Sequence, residues 1–100
     1  MSVIIVNKGK VELRQTNGTL IRHIGNGDAI EANLNSTDTL VLITTIKGKV
    51  ELRQINGTLV RHIGNGDAVS AKFSGKDILV KTNKGKNELR QENGTLIRHI

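Results

Sequence analysis

The chain repeats itself, and nothing else in it restricts the possible folds as sharply. Lys8–Asp28 reads KGKVELRQTNGTLIRHIGNGD and Lys47–Asp67 reads KGKVELRQINGTLVRHIGNGD, nineteen of twenty-one residues matching at an offset of 39. A third copy begins at Lys84, offset 37, and matches the first at fifteen of seventeen positions up to Ile100. Two looser stretches, Ala29–Ile46 and Ala68–Asn83, lie between them. Repeats of this length are single supersecondary units that cannot bury an apolar face alone and must stack on their neighbours.

Each unit reads as four short strands. Lys10–Gln15 alternates apolar Val11 and Leu13 with polar Glu12 and Arg14, the period of two of a half-buried strand. Asn17-Gly18, repeated as Asn56-Gly57 and Asn93-Gly94, predicts a tight hairpin of type I′, whose two central residues both need positive φ. Thr19–Ile24 returns as the partner strand, and Gly25-Asn26-Gly27-Asp28 leads into Ala29–Asn35. There Ile30, Ala32 and Leu34 are expected on one face, as Val69, Ala71 and Phe73 are in the next copy. Thr39–Thr45 is β-branched and apolar enough for a buried central strand. No window shows a capped 3.6-residue period, so the expectation is an all-β chain of about eleven strands.

Four short antiparallel strands per repeat fit a propeller blade best, with a β-trefoil as the rival. Asp67–Val80, followed by Lys84–Gln91 and Gly94–Ile100, resembles a WD-repeat blade. The order is an inner strand ending in Phe73-Ser74, a turn, a Leu79-Val80 strand, a tight turn, the Asn87–Gln91 strand and an outer strand after Gly94. The signature Trp-Asp pair is replaced by Arg14-Gln15, Arg53-Gln54 and Arg90-Gln91, and Gly-His by Gly25-Asn26 and Gly64-Asn65. The resemblance implies one repeat domain over 1–100: a partial blade at 1–28, then blades at 29–67 and 68–100. With strands a to d named from channel to rim, the order becomes b-c-d, a-b-c-d, a-b-c-d.

Such an array does not close. Blades pack on both sides in rings of typically 4–8, and an isolated copy would show water two faces larger than soluble monomers usually expose. The expectation is therefore a self-assembling β-propeller interaction or scaffold module, closed by homo-oligomerisation, with a dimer favoured. The alternative is that these 100 residues are one piece of a longer repeat protein.

Residues that could carry chemistry are few, and the chain is not expected to be an enzyme or to need a cofactor. There is no cysteine, hence no disulfide, thiolate ligand or cysteine nucleophile. His23, His62 and His99 fill one slot per repeat, so they diverge from blade to blade instead of converging on a metal. Gly25–Asp28 and its copy lead into strands and lack the helix start and lysine of a phosphate loop. Four Asn-x-Thr triplets, at Asn17, Asn35, Asn56 and Asn93, read as turns, not as glycosylation sites. Among the positions where the inner strands differ are Glu31/Ser70 and Asn33/Lys72.

Charge is the exception. The net charge is +6, and Lys8/Lys10, Lys47/Lys49 and Lys84/Lys86 flank the Gly9, Gly48 and Gly85 turns. The propeller resemblance places these turns on one face with the blade-to-blade connections, as candidate binding residues for an anionic partner: an acidic protein surface or an anionic small molecule. The competing reading is that lysines at turns keep β edges soluble. Arg22, Arg61 and Arg98 are expected to pair with Glu12, Glu51 and Glu88 across each hairpin. Phe73 as the single aromatic residue makes nucleic acid an unlikely partner, since bases stack on aromatic rings. A repeat lectin, propeller or trefoil, is the runner-up, with Asn26/Asp28 and Asn65/Asp67 as its polar pockets. The longest nearly apolar runs, Ser2–Val6 and Thr39–Ile46, are far short of the ~20 residues of a membrane helix. Nothing after Met1 reads as a secretory leader, so a cytoplasmic setting without membrane contact is expected.

Overall fold

The structure is a computed structural model that describes residues 2–100. The described residues form eleven strands: β1 Ser2–Asn7, β2 Lys10–Gln15, β3 Leu20–Ile24, β4 Ala29–Leu34, β5 Leu40–Thr45, β6 Val50–Gln54, β7 Leu59–Ile63, β8 Ala68–Ser74, β9 Asp77–Thr82, β10 Asn87–Arg90 and β11 Leu96–His99. They make three antiparallel meanders, β1-β2-β3, β4-β5-β6-β7 and β8-β9-β10-β11.

The sheets stack face to face, and each of the two junctions has its own apolar cluster. Val11, Leu13 and Ile24 of the first sheet bury against Ala29, Val41 and Ile43 of the second. Leu42, Val50, Leu52 and Ile63 of the second bury against Ala68, Ala71, Ile78 and Val80 of the third. β5 therefore sends Val41 and Ile43 one way and Leu42 the other, which is why its sequence LVLITT lacks apolar–polar alternation. Glu31 and Asn33 add polar ties between inner strands. Ser70 Oγ and Ala71 N–H donate to Glu31 Oε1 at 3.0 Å each, and Asn33 Nδ2 donates to the Ala71 carbonyl at 2.8 Å. In the third sheet the equivalent places hold Ser70, itself the donor to Glu31, and Lys72.

Three local expectations are corrected. The register shifts between Ala29 and Glu31, and again between Ala68 and Ser70. A bulge adds one residue and changes the side-chain phase. Ala29 and Ala68 thereby take the buried slots, whereas Ile30 and Val69 point outward, away from the face of Ala32 and Leu34 or of Ala71 and Phe73. At Asn17-Gly18 only the glycine has positive φ, at 94°. The loop spans three residues: Gln15 N–H donates to the Thr19 carbonyl at 2.8 Å, and Asn17 Oδ1 accepts from Thr19 N–H at 3.0 Å. The asparagine acts through its side chain, and glycine supplies the left-handed residue of a bulged hairpin. The turn with two positive φ values lies at Lys8 (53°) and Gly9 (84°).

That last turn departs from its own copies. In the second and third sheets Lys49 N–H donates to Thr45 Oγ1 at 3.1 Å, and Lys86 N–H to Thr82 Oγ1 at 3.2 Å, closing three-residue loops. In the first sheet Asn7 stands in the place of Thr45 and Thr82, without their hydroxyl, and pairs directly with Lys10 across a two-residue turn.

Leu42→Ala should cost about 2–5 kcal/mol, the range for a buried large-to-small change. Ile30→Ala should cost less than about 0.5 kcal/mol, as for an exposed site. Urea unfolding of both variants checks the bulge directly, since equal losses would put Ile30 back in the core.

Candidate functional site

The lysine turns sit where the chain passes from one sheet to the next. Ala29 N–H donates to the Gly9 carbonyl at 3.0 Å, and Ala68 N–H to the Gly48 carbonyl at 2.9 Å. On the other side Ile46 N–H donates to the Asp28 carbonyl and Asn83 N–H to the Asp67 carbonyl, both at 2.8 Å. Glycine is required for this approach: a Cβ on Gly48 would lie 2.5 Å from the Gly66 carbonyl oxygen, and Gly9 meets Gly27 in the same way. The lysine turns and the Gly-Asn-Gly-Asp connections thus share one end of the stack, and Lys8, Lys10, Lys47, Lys49, Lys84 and Lys86 are all exposed there. Asp28 and Asp67 stand beside them, so six lysines face two carboxylates at this end. The turns at the opposite end carry Asp38, Asp77, Glu92 and Lys76, with the Arg22 and Arg61 guanidiniums beside the Asn56 and Asn93 carbonyls. Six exposed ammonium groups at the lysine end form a local positive patch that attracts an anion.

Two equivalent open grooves mark that end. One, of about 310 Å³, is lined by Lys10, His23, Ile24 and Gly25–Gly27; the other, of about 290 Å³, by Lys49, His62, Ile63 and Gly64–Gly66. Each offers a lysine ammonium, an imidazole edge and the backbone of a glycine-rich turn. Asn26 lines the first groove, whereas Asp28 lines a separate one with Lys8, Ile30 and Ile46. Asp28 Oδ1 and Asp67 Oδ1 are buried without a hydrogen-bond partner. The Asn26/Asp28 pocket required by a lectin is therefore divided between two grooves. Among the described residues no group of three or more His, Asp or Glu could hold a metal ion. Nor is any helix long and apolar enough to cross a membrane.

The arginine–glutamate pairing differs from expectation. Glu12 lies opposite His23, and Leu13 opposite Arg22, so Glu12 and Arg22 project from opposite faces of the sheet. Glu12 is held by Arg14, two residues along the same strand and on the same face. Arg14 Nε and Nη2 lie 3.0 and 2.9 Å from Glu12 Oε1, and Nη1 donates to the Gly18 carbonyl at 2.6 Å. Arg53 repeats this with Glu51 (3.0 Å) and Gly57 (2.8 Å), and Arg90 with Glu88 (3.0 Å) and Gly94 (2.7 Å). β2, β6 and β10 thus each carry an ion pair pinned to their own hairpin. The Glu-x-Arg spacing was available as a signal, since residues two apart on a strand share a face. His23 and His99 lie 3.9 Å from the second oxygen of Glu12 and Glu88.

Arg22 instead reaches forward to the next sheet, its Nη1 lying 3.5 Å from the Asn56 carbonyl; Arg61 does the same to Asn93 at 3.4 Å. These guanidiniums tie the outer strand of one sheet to the Asn-Gly turn of the next.

Removing one member of a buried ion pair strands the other without compensation, at about 3–5 kcal/mol. Glu51→Gln and Glu88→Gln should fall in that range. Glu12→Gln, in the more open first sheet, should lose clearly less. Thermal unfolding of the three variants gives the order, and equal losses would contradict the difference in cover.

No protein-family model matches the chain, and no curated protein sequence matches it. Among solved structures it is similar to Kluyveromyces lactis Hsv2, a β-propeller protein, with a TM-score of 0.75 and 9% identity over 99% of this chain. The match covers 33% of Hsv2, so the chain spans about a third of that protein's length. At this identity the likeness concerns fold alone. Three- and four-stranded antiparallel meanders, stacked face to face and superposable on Hsv2, make this an all-β chain of propeller-type blades.

Proposed function

We propose that the chain is a non-enzymatic interaction or scaffold module of simplified, WD-like blades, completed by further copies of itself, with the lysine-bearing end as its binding surface. The observation that carries this reading is the pair of uncovered sheet faces. Inside the chain each junction buries a full apolar cluster, yet the outer face of the first sheet and that of the third meet nothing. Val3 and Ile5 stand exposed on the former, and Ile100 beside the latter. Val3 and Ile5 stand on the first uncovered face where Val41 and Ile43 stand on a covered one, and Leu79 and Leu89 on the other where Leu42 and Leu52 do, so a second copy is the natural cover. Two copies would give about six blades with two inner strands absent, within the usual range for rings.

The lysine end takes an acidic protein surface or an anionic small molecule. Six exposed ammonium groups at one end support this, and the scarcity of aromatic side chains argues against nucleic acid. The absence of cysteine supports a cytoplasmic setting.

Light scattering across a dilution series tests assembly. The expected species has twice the 10.9 kDa of one chain, and a single-chain mass at every concentration would refute the reading. For the surface, a poly-glutamate peptide should bind at low salt and be released as salt rises. The triple variant Lys8→Ser, Lys47→Ser, Lys84→Ser should weaken binding at least about tenfold; unchanged binding would remove the lysines from the site.

A further inference from the structure

We infer that a second copy docks head to tail, the open face of the third sheet receiving the open face of the first, with Arg98 of one copy donating to the Asn17 carbonyl of the next. This inference rests on the self-assembly reading above and adds the residues and direction of the joint.

Both junctions within the chain use one contact pattern. Arg22 reaches the Asn56 carbonyl and Arg61 the Asn93 carbonyl. Arg98 is the third arginine of that series and lies on β11, the last strand of the described residues. The Asn17 turn is the third acceptor and belongs to the first sheet of the described residues. Placing Arg98 on Asn17 of a second copy continues the series with the same atoms.

The apolar register agrees. Val3 pairs with Arg14 as Val41 pairs with Arg53, and Ile5 with Glu12 as Ile43 with Glu51. Val41 and Ile43 are 0% and 1% exposed beneath the first sheet, whereas Val3 and Ile5 are 39% and 45% exposed. The ion pairs follow the same trend: the Arg14 side chain is 29% exposed, against 12% for Arg53 and 10% for Arg90, which lie beneath a preceding sheet. On the receiving side Leu79 pairs with Leu89 as Leu42 pairs with Leu52, so the two leucines and Arg98 keep the row that Leu42, Leu52 and Arg61 form inside the chain.

Where this face has changed, it has changed beside the gap. Asn33, Thr44 and Val50 of the second sheet correspond to Lys72, Lys81 and Asn87 of the third. In the chain the following inner strand packs on this region, β8 lying against β4 and β5. Among the described residues the first sheet has no inner strand, so Lys72 and Lys81, on the strands equivalent to β4 and β5, stay in water when the joint forms, whereas Asn87 on β10 enters it as a polar group. The surface around the outer strands, which the joint covers, keeps Leu89 and Arg98.

Two measurements test the joint. Loss of a charged-donor hydrogen bond should raise the dissociation constant of Arg98→Ala by about tenfold, with unchanged circular dichroism, since Arg98 is exposed. The chain has no cysteine, so Asn17→Cys and Arg98→Cys each introduce a unique thiol. A short bis-maleimide should link the two variants when mixed and neither variant to itself, because a head-to-tail ring sets like positions apart. A wild-type chain that stays single overturns both assembly and joint. A wild-type chain that associates while Arg98→Ala does so equally well, or while either cysteine variant links to itself, leaves assembly standing and overturns this joint.

Discussion

Face-to-face cover of one sheet by the next is the interaction on which everything else in this molecule depends. A three- or four-stranded meander of this size has too little apolar area to stand alone in water. The repeat solves this by giving the central strand two apolar faces, as in β5, where Val41 and Ile43 serve one junction and Leu42 the other. The second sheet is therefore the best-buried part of the chain, and burial declines toward both ends. The same property that makes the array stable inside makes it unfinished at its boundaries.

Polar groups in the stack act mainly as alignment devices. The Glu-x-Arg pair locks each hairpin to its own strand, and its two charges offset each other within one sheet. Buried ion pairs of this kind contribute little net stability compared with apolar packing, and a role in fixing one geometry is the better-attested use. Arg22 and Arg61 then link neighbouring sheets through turn carbonyls, and Glu31 and Asn33 do so through the inner strands. The two sets that cross between sheets, at the outer and the inner strands, hold the sheets in register where apolar contact alone would let them slide.

Much of the architecture was legible in the amino-acid order, because repeat length, strand alternation and turn residues all point the same way. Alternation in KVELRQ placed β2, β6 and β10, and the β-branched run placed β5. What escaped depends on one-residue shifts in phase. The bulge at Ala29 moves Ile30 out of the core, and no local signal separates alanine–isoleucine with a bulge from the same pair without one. The pairing of Arg22 with Glu12 failed for a related reason: opposite charges on neighbouring strands meet only if register puts them opposite, and here Glu12 faces His23. The clamp of Arg14 on Glu12 was readable from spacing alone. At the lysine end, the shared location with the connections was legible; the split between the grooves of Asn26 and Asp28 required the three-dimensional path of the turn.

The two-residue turn at Lys8-Gly9 reaches beyond its own hairpin. The tripeptide Lys-Gly-Lys occurs three times without change, yet it closes a two-residue turn in the first sheet and three-residue loops in the others, so its ammonium groups are presented in two different ways. A long anionic molecule lying across that end would meet one presentation of the lysines at the first sheet and another at the second and third. A surface that looks periodic in the sequence is aperiodic in space, and a ligand bound along it would have a defined direction.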